Sequence, residues 1–318
     1  MAAIKTDTGL PKTTEPRYHF DIYAVLEGPQ ELYFGHETQV NVNIVETVHI
    51  ATETGEMEKC YISPTKRRGV ERRSLIWAPV QSEGVLLGDK LGCGIPHTCA
   101  QPDCPICAVY GGLITSDTEV EAGVPGHPKR KATTTIGRLV HGGGVAVQAQ
   151  DVVEKQRAMH PSFTHFNVKE IPREQTPTPF KRQYNEPGLL YPVYNHCLSV
   201  TEAEFGAVAY AFLDALARLG AGNPKGVKVY EGALLKDHEP LLVLDRYLVP
   251  LGKRPVISPS LTSVEEALGC FRAEALQVAG KTIEQEQVNE SNFTRWVGDA
   301  ALAQLQDYAT QFVKTHLK

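Results

Sequence analysis

The sequence predicts an α+β fold, and three observations predict it. Apolar residues alternate along Tyr18 to Leu26 and again from Val40 to Ile50, the period of antiparallel strands. A helix signature follows well downstream: Thr201 and Glu204 form a capping box, and Phe205, Val208, Ala209, Phe212, Leu213, Leu216 and Leu219 then recur at helical spacing. Between them, the stretch 91–112 gathers His97 and four of the seven cysteines, Cys93, Cys99, Cys104 and Cys107. A chain of 318 residues that is 42% hydrophobic buries a full core, as one large domain with insertions or as two domains sharing an interface.

Taken in order, residues 1–16 carry Lys, Thr and Pro without an apolar period and read as a loose arm. A strand from Tyr18 stops at Glu27-Gly28-Pro29, with the polar His19 and Asp21 marking it as partly buried. A second strand, or a hairpin broken at Thr54-Gly55, carries Val40, Val42, Ile44, Val48 and Ile50. Lys66, Arg67, Arg68, Arg72 and Arg73 then crowd together with only Glu71 to offset them. Such a run is either a solvated face or a set of phosphate contacts, and its density in a chain of net charge −5 favours phosphates. The stretch 79–91 reads as a short helix entering the cysteine segment, with Lys90 on it.

Cys104 and Cys107 enclose two residues, a spacing that turns two thiolates toward one tetrahedral metal, and Cys93 and Cys99 complete four sulfur ligands. His97 is an alternate to Cys93. Four protein ligands leave no open position for water, so the pattern points to a structural zinc that folds a loop. The competing readings are a Cys-x-x-Cys redox pair and unrelated buried thiols.

Beyond this segment, residues 115–135 are rich in Gly, Pro and Thr and carry a second basic patch, Lys129, Arg130 and Lys131, on a loop or hairpin arm. His141-Gly-Gly-Gly144 reads as a turn, 145–153 as a strand and 163–168 as another, while the prolines of 172–188 mark an irregular excursion. After the 201–219 helix comes a glycine loop, Leu219-Gly-Ala-Gly-Asn-Pro-Lys-Gly226, leading into a strand with Lys228. The order helix, loop, strand is the reverse of a nucleotide-binding phosphate loop, which excludes that site. Gly220, Gly222 and Gly226 would instead admit close approach of a polynucleotide or another chain, with Lys225 and Lys228 adding charge. A strand at 241–244, a capping pair Ser263 and Glu266 ahead of Leu268 and Phe271, and a helix over 292–316 with Phe293, Val297, Ala300, Leu305, Tyr308 and Phe312 as its stripe complete the chain. An odd cysteine count, the knuckle and no apolar signal segment after Met1 predict a reducing cytoplasm, and no run reaches transmembrane length.

Cys104-Pro-Ile-Cys107-Ala-Val-Tyr110-Gly111 and Leu219-Gly-Ala-Gly-Asn-Pro-Lys-Gly226, in this order, resemble the zinc-bearing Cys-x-x-Cys and the C-terminal glycine-rich loop of the RAMP superfamily. The likeness is to the guide-RNA (crRNA)-binding backbone subunits (Cas seven family) of class-one CRISPR effector complexes, and it covers residues 17–255. It implies a ferredoxin-like, RRM-like β-α-β-β-α-β core with a zinc-binding insertion near 85–115, a thumb-like hairpin near 116–140 and a helical C-terminal part at 256–318. Several copies would polymerise along one guide RNA, with target DNA or RNA and other effector subunits as partners. The resemblance implies RNA contacts at the basic clusters, Lys90, Arg138 and the glycine loop. Relatives often place an aromatic and a glycine after the position of Gly226, where this chain has Val227 and Lys228, which leaves the type I-D and type IV branches open. No cutting aspartate is assigned among Asp89, Asp103 and Asp117, so the expectation is a non-catalytic subunit. Two alternatives stand beside it: an RNA-processing nuclease using His19, His36 or His49 as general base, and a zinc-containing scaffold that binds only protein.

Overall fold

The strand over residues 18–27 is buried on both faces, where its alternation predicts a half-wetted one. The computed structural model describes residues 13–32, 37–39, 42–52, 55–115, 132–149, 153–157, 180–220 and 226–318. Seven strands form its main sheet: β1 (Tyr18–Glu27), β2 (Leu139–Gly143), β3 (Leu190–Val200), β4 (Lys228–Val229), β5 (Leu242–Tyr247), β6 (Gln287–Glu290) and β7 (Phe293–Val297). They lie in the order β2-β3-β1-β5-β7-β6 with β4 added to the end of β1, and every pairing within this sheet is antiparallel. Among the described residues six helices accompany it: α1 (Pro64–Ile76), α2 (Leu87–Leu91), α3 (Cys107–Tyr110), α4 (Glu202–Leu216), α5 (Val264–Ala275) and α6 (Gly298–His316). The architecture is therefore α+β with a mainly antiparallel sheet.

Both faces of β1 are buried because successive side chains point to opposite faces. Phe20, Ile22, Ala24 and Leu26 enter the core shared with α1, α4 and α6, whereas Tyr23 and Val25 enter a second core with α5. Phe20 stacks on Phe205 of α4 at 4.0 Å, and Tyr308 of α6 meets both rings edge-on. The Thr201 hydroxyl accepts from the Glu204 backbone N–H at 3.1 Å while the Glu204 carboxylate accepts from the Thr201 N–H at 2.8 Å, so the capping box forms as expected. Ser263 caps α5 by accepting from the Glu266 N–H at 3.3 Å.

Elsewhere the elements differ from expectation. His141-Gly-Gly is strand rather than turn: β2 runs across these residues because a Cβ at Gly142 would lie 2.0 Å from the Tyr194 ring, so the glycines let that ring lie flat on the strand. Val145 makes only a bridge to Tyr61, and the strand expected over 145–153 lies instead at Val153–Arg157. That strand pairs with Phe180–Tyr184, inside the stretch expected to be irregular. Residues 79–91 hold a small hairpin before α2. The helix expected from 292 starts at Gly298, and Phe293 and Val297 belong to β7, whose five residues are all buried. The part beyond residue 256 holds α5 and α6 and also adds two strands to the main sheet. The expected strand at 163–168 lies outside the described residues. Gly55–Cys60 pairs with Thr47–Thr52, as the hairpin reading required. At the end of that hairpin the fully buried Lys59 ammonium donates to the carbonyls of Val147 (2.7 Å), Pro259 (2.7 Å) and Leu261 (2.6 Å).

Candidate metal centre and the basic cluster

Between α1 and β2 the chain makes its insertion, and its four cysteines converge. The Sγ atoms of Cys93, Cys99, Cys104 and Cys107 all lie within 4.8 Å of one another and all four residues are buried. Cys93 and Cys99 stand 3.4 and 3.6 Å from Cys107. Four thiolates bound at about 2.3 Å to one tetrahedral ion would lie about 3.8 Å apart, so the donor set and its spacing fit a metal ion. The Cys107 N–H donates to the Cys104 sulfur at 3.5 Å. Hydrogen bonds from Cys104, Cys107 and Cys99 draw the Cys93 thiol far below its ordinary value, and the contact with Cys107 raises Cys104. Cys99 is drawn down as well, by Cys104 and Cys107, so the cluster favours thiolate, the form that binds metals. A Cβ at Gly112 would sit 2.9 Å from the Cys107 sulfur, so the chain leaving α3 must be glycine there. His97 is exposed and outside the four-sulfur group.

The basic cluster lies on α1, whose Pro64 opens the helix. Arg67 is 1% exposed and cannot meet a phosphate: it donates to Asn195 Oδ1 at 3.1 Å and to the Gly142 carbonyl. One turn on, Glu71 accepts from Asn195 Nδ2 (3.1 Å) and the Tyr110 hydroxyl (3.0 Å) and touches His141 Nε2 at 2.6 Å. Burial raises the Glu71 carboxyl, yet His141, Arg67 and Asn195 outweigh it and hold the group below the ordinary carboxylate range. Burial lowers Arg67 to about 10, still a cation at neutral pH. Arg68 is likewise turned inward, to the Leu139 carbonyl at 2.8 Å and to that of Tyr110. The Leu139 carbonyl belongs to β2, an edge of the main sheet, so Arg68 occupies an acceptor that would otherwise invite pairing there.

Arg138, also expected to face RNA, is 6% exposed and joins three elements: it donates to Ala108 O of α3 (3.0 Å), Ser199 O of β3 (2.7 Å) and the Glu204 carboxylate (2.9 Å). Arg67, Arg68 and Arg138 are therefore internal fasteners. Lys66 pairs with Glu46, Lys90 with Glu83 at 2.7 Å and Lys228 with Glu27 at 3.0 Å, all on partly exposed side chains, and Arg72 and Arg73 are half-buried. In the glycine loop, Gly226 has φ +63°, and a Cβ there would lie 2.8 Å from Leu216 O, so the end of α4 itself requires this glycine. Gly220, at φ +92°, would meet Leu32 at 2.8 Å. Gly222, Lys225, Lys129, Arg130, Lys131 and His36 lie outside the described residues, as does most of the thumb-like stretch, whose base is the pairing of Gly112–Ile114 with Thr133–Thr135.

No family model matches the sequence, and no curated protein matches it. Among solved structures, the chain is similar to the crystal structure of Thermofilum pendens Csc2, at 14% identity and a TM-score of 0.39 over 96% of this chain and 81% of that one. It is also similar to a chain of a type IV-B CRISPR complex (15% identity, TM-score 0.34, 79% of this chain and 98% of that one). A third is a chain of a CRISPR RNA-guided surveillance complex (13% identity, TM-score 0.38, 81% of this chain and 82% of that one). Among the described residues no helix is long and apolar enough to cross a membrane.

One constellation was not legible in the sequence. On the second face of the sheet, Asp21 of β1 touches His196 Nδ1 of β3 at 2.8 Å and accepts from the hydroxyls of Tyr23 (3.0 Å) and Tyr247 (3.1 Å). The Arg254 guanidinium lies 2.8 Å from His196 Nε2. Cross-strand register makes the group, since Asp21 stands opposite His196 on one side and Asp245 on the other. Of the histidines weighed as bases, His19 lies on this face, and His49 is exposed on its hairpin.

Proposed function

We propose that this chain is a guide-RNA-binding backbone subunit of a class-one CRISPR surveillance complex, polymerising along the guide and presenting it for pairing with target nucleic acid. The observation that carries the reading is the order β2-β3-β1-β5, with α1 leading from β1 to β2 and α4 leading from β3 toward β5. This order supports a ferredoxin-like β-α-β-β-α-β core, with the four-cysteine insertion between α1 and β2, where a zinc would hold it. A guide of arbitrary sequence is held by its phosphates, so the contacts would come from Lys66, Arg72, Arg73, Lys90 and Lys228 with Lys129, Arg130, Lys131, Lys225 and Gly222. A net charge of −5 means that one copy neutralises few phosphates, and neighbours along the strand supply the remainder. A head-to-tail contact that does not close extends as a filament. Its setting would be the cytoplasm, with other effector subunits as partners.

The test is to titrate the purified chain onto single-stranded RNAs of increasing length and to measure particle mass. The reading expects mass to rise stepwise with length and binding to be cooperative. A mass fixed at one or two copies at every length refutes it and revives the nuclease or the scaffold.

A further inference from the structure

α1 ends on an aromatic ring that the fold leaves open. Trp77 caps the C-terminus of the helix and is 53% exposed, whereas the second tryptophan, Trp296, is 6% exposed. It does not stand alone. The hairpin that follows pairs Pro79 with Leu86 and Val80 with Val85, and Val85 and Leu86 are each 38% exposed, so residues 77–86 turn several large apolar side chains to solvent. Apolar side chains scattered singly are ordinary on a surface, and a group of them marks a contact site. A basic rim surrounds this one. Arg67, Glu71, Ser74 and Leu75 are the buried side of α1, while Lys66 and Arg73 lie on the other side, and Trp77, four residues past Arg73, continues their stripe. The Arg73 guanidinium leans back over Gly69, where a Cβ would stand 3.5 Å from its Nη1, and so leaves the indole open. Past the hairpin, Lys90 of α2 pairs with Glu83 at 2.7 Å. The Ser82 hydroxyl donates to Lys318 O at 3.1 Å, which brings this exposed lysine to the hairpin's turn. Lys66, Arg73, Lys90 and Lys318 thus frame the apolar group against only Glu46 and Glu83, in a chain whose net charge is −5.

We propose that Trp77 is a stacking platform for one base of the bound strand, with Arg73 beside it for the neighbouring phosphate, a reading that rests on the RNA binding proposed above. An exposed ring framed by cations offers a single strand both of its needs, a π-face for a base and positive charge for the backbone. Every base has a π-face, so the contact carries no sequence preference, as a guide of arbitrary sequence requires. The indole differs in kind from the basic residues around it: it holds a base, is indifferent to salt, and neutralises no phosphate.

The experiment titrates the full chain with labelled oligouridylate and with an abasic oligomer of the same length and charge, reading affinity from the anisotropy of the label and stacking from tryptophan emission. The wild type should lose emission on binding oligouridylate and keep it on binding the abasic oligomer. Trp77→Ala retains the buried Trp296 as its only emitter, so this quenching should vanish. The variant should bind oligouridylate about tenfold more weakly, the size of one lost base stack, with the salt dependence of the wild type because no phosphate contact is removed. Trp77→Phe should recover most of the affinity. RNA bound without quenching, and with equal affinity in Trp77→Ala, overturns the stacking role and leaves the guide-binding reading standing. A Trp77→Ala chain that binds RNA as the wild type does but no longer self-associates assigns the ring to a protein contact and overturns the proposal as well. Binding of neither oligomer overturns both readings.

Discussion

Replacing Arg67 by alanine should destabilise the fold by about 3–5 kcal/mol, the cost of removing one partner from a buried charge network. The guanidinium is 1% exposed, and its loss leaves Asn195 Oδ1 and the Gly142 carbonyl without their donor and Glu71 without its neighbouring cation. An unfolding entropy of about 2.1 cal/mol/K per residue gives about 0.7 kcal/mol per kelvin for 318 residues, so the melting temperature should fall by about 4–8 °C. Thermal unfolding followed by circular dichroism reads this directly. Arg73→Ala on the same helix should stay within about 1 kcal/mol of wild type. Below its melting temperature Arg67→Ala should still bind RNA as tightly as the wild type, since the group never reaches solvent. Unfolding of Arg67→Ala within a degree of the wild type, or a selective loss of RNA affinity, would refute this reasoning.

Cys104→Ser with Cys107→Ser should lose about one equivalent of metal per chain and increase amide exchange near residues 91–112, while the signal of α4 persists. Elemental analysis finding no metal in the wild type ends that expectation. The Glu71 carboxyl has a folded pKa below its unfolded value, so its stabilisation is complete above the ordinary glutamate range, about 4.3, and disappears as pH falls through the lower folded value. Glu71→Gln should therefore be less stable than wild type at pH 7 and show a flatter loss of melting temperature toward acid, and parallel acid limbs in the two proteins would contradict this.

What the sequence disclosed were features set by neighbours in the chain. The capping box at Thr201 and Glu204, the extended period of β1 and the spacing of the cysteines are local patterns: the box and the strand form, and the four sulfurs converge. What it hid depends on distant partners. Arg67 and Arg68 looked like a solvated or phosphate-facing run because Asn195, the Leu139 carbonyl and the Gly142 carbonyl are far away in sequence. β3 carries Pro192 in a central strand, where proline argues against pairing, and its carbonyl nonetheless accepts from Gly144. Phe293 and Val297 stand four apart and fit a helix as well as a strand. The buried Arg295, paired with Asp245 at 2.6 Å, decides for the strand, and no local pattern announces that pairing. The Asp21–His196 contact arises only from register, and the sequence separates its members by 175 positions.

The Lys59 clasp sets a limit on how Arg254 can move. Gly252 bridges Val278, the Lys253 N–H donates to Gln277 O at 3.0 Å, and the Val256 N–H reaches the Glu274 carboxylate at 3.1 Å. Farther along, the carbonyls of Pro259 and Leu261 are held by the buried ammonium. The backbone on either side of Arg254 is thereby tethered, although the residue itself is exposed. The guanidinium is held as well, with Nε donating to the Tyr23 hydroxyl at 3.3 Å and Nη2 lying 2.8 Å from His196 Nε2, so this segment is tied down through its backbone and through its one long side chain facing β1 and β3.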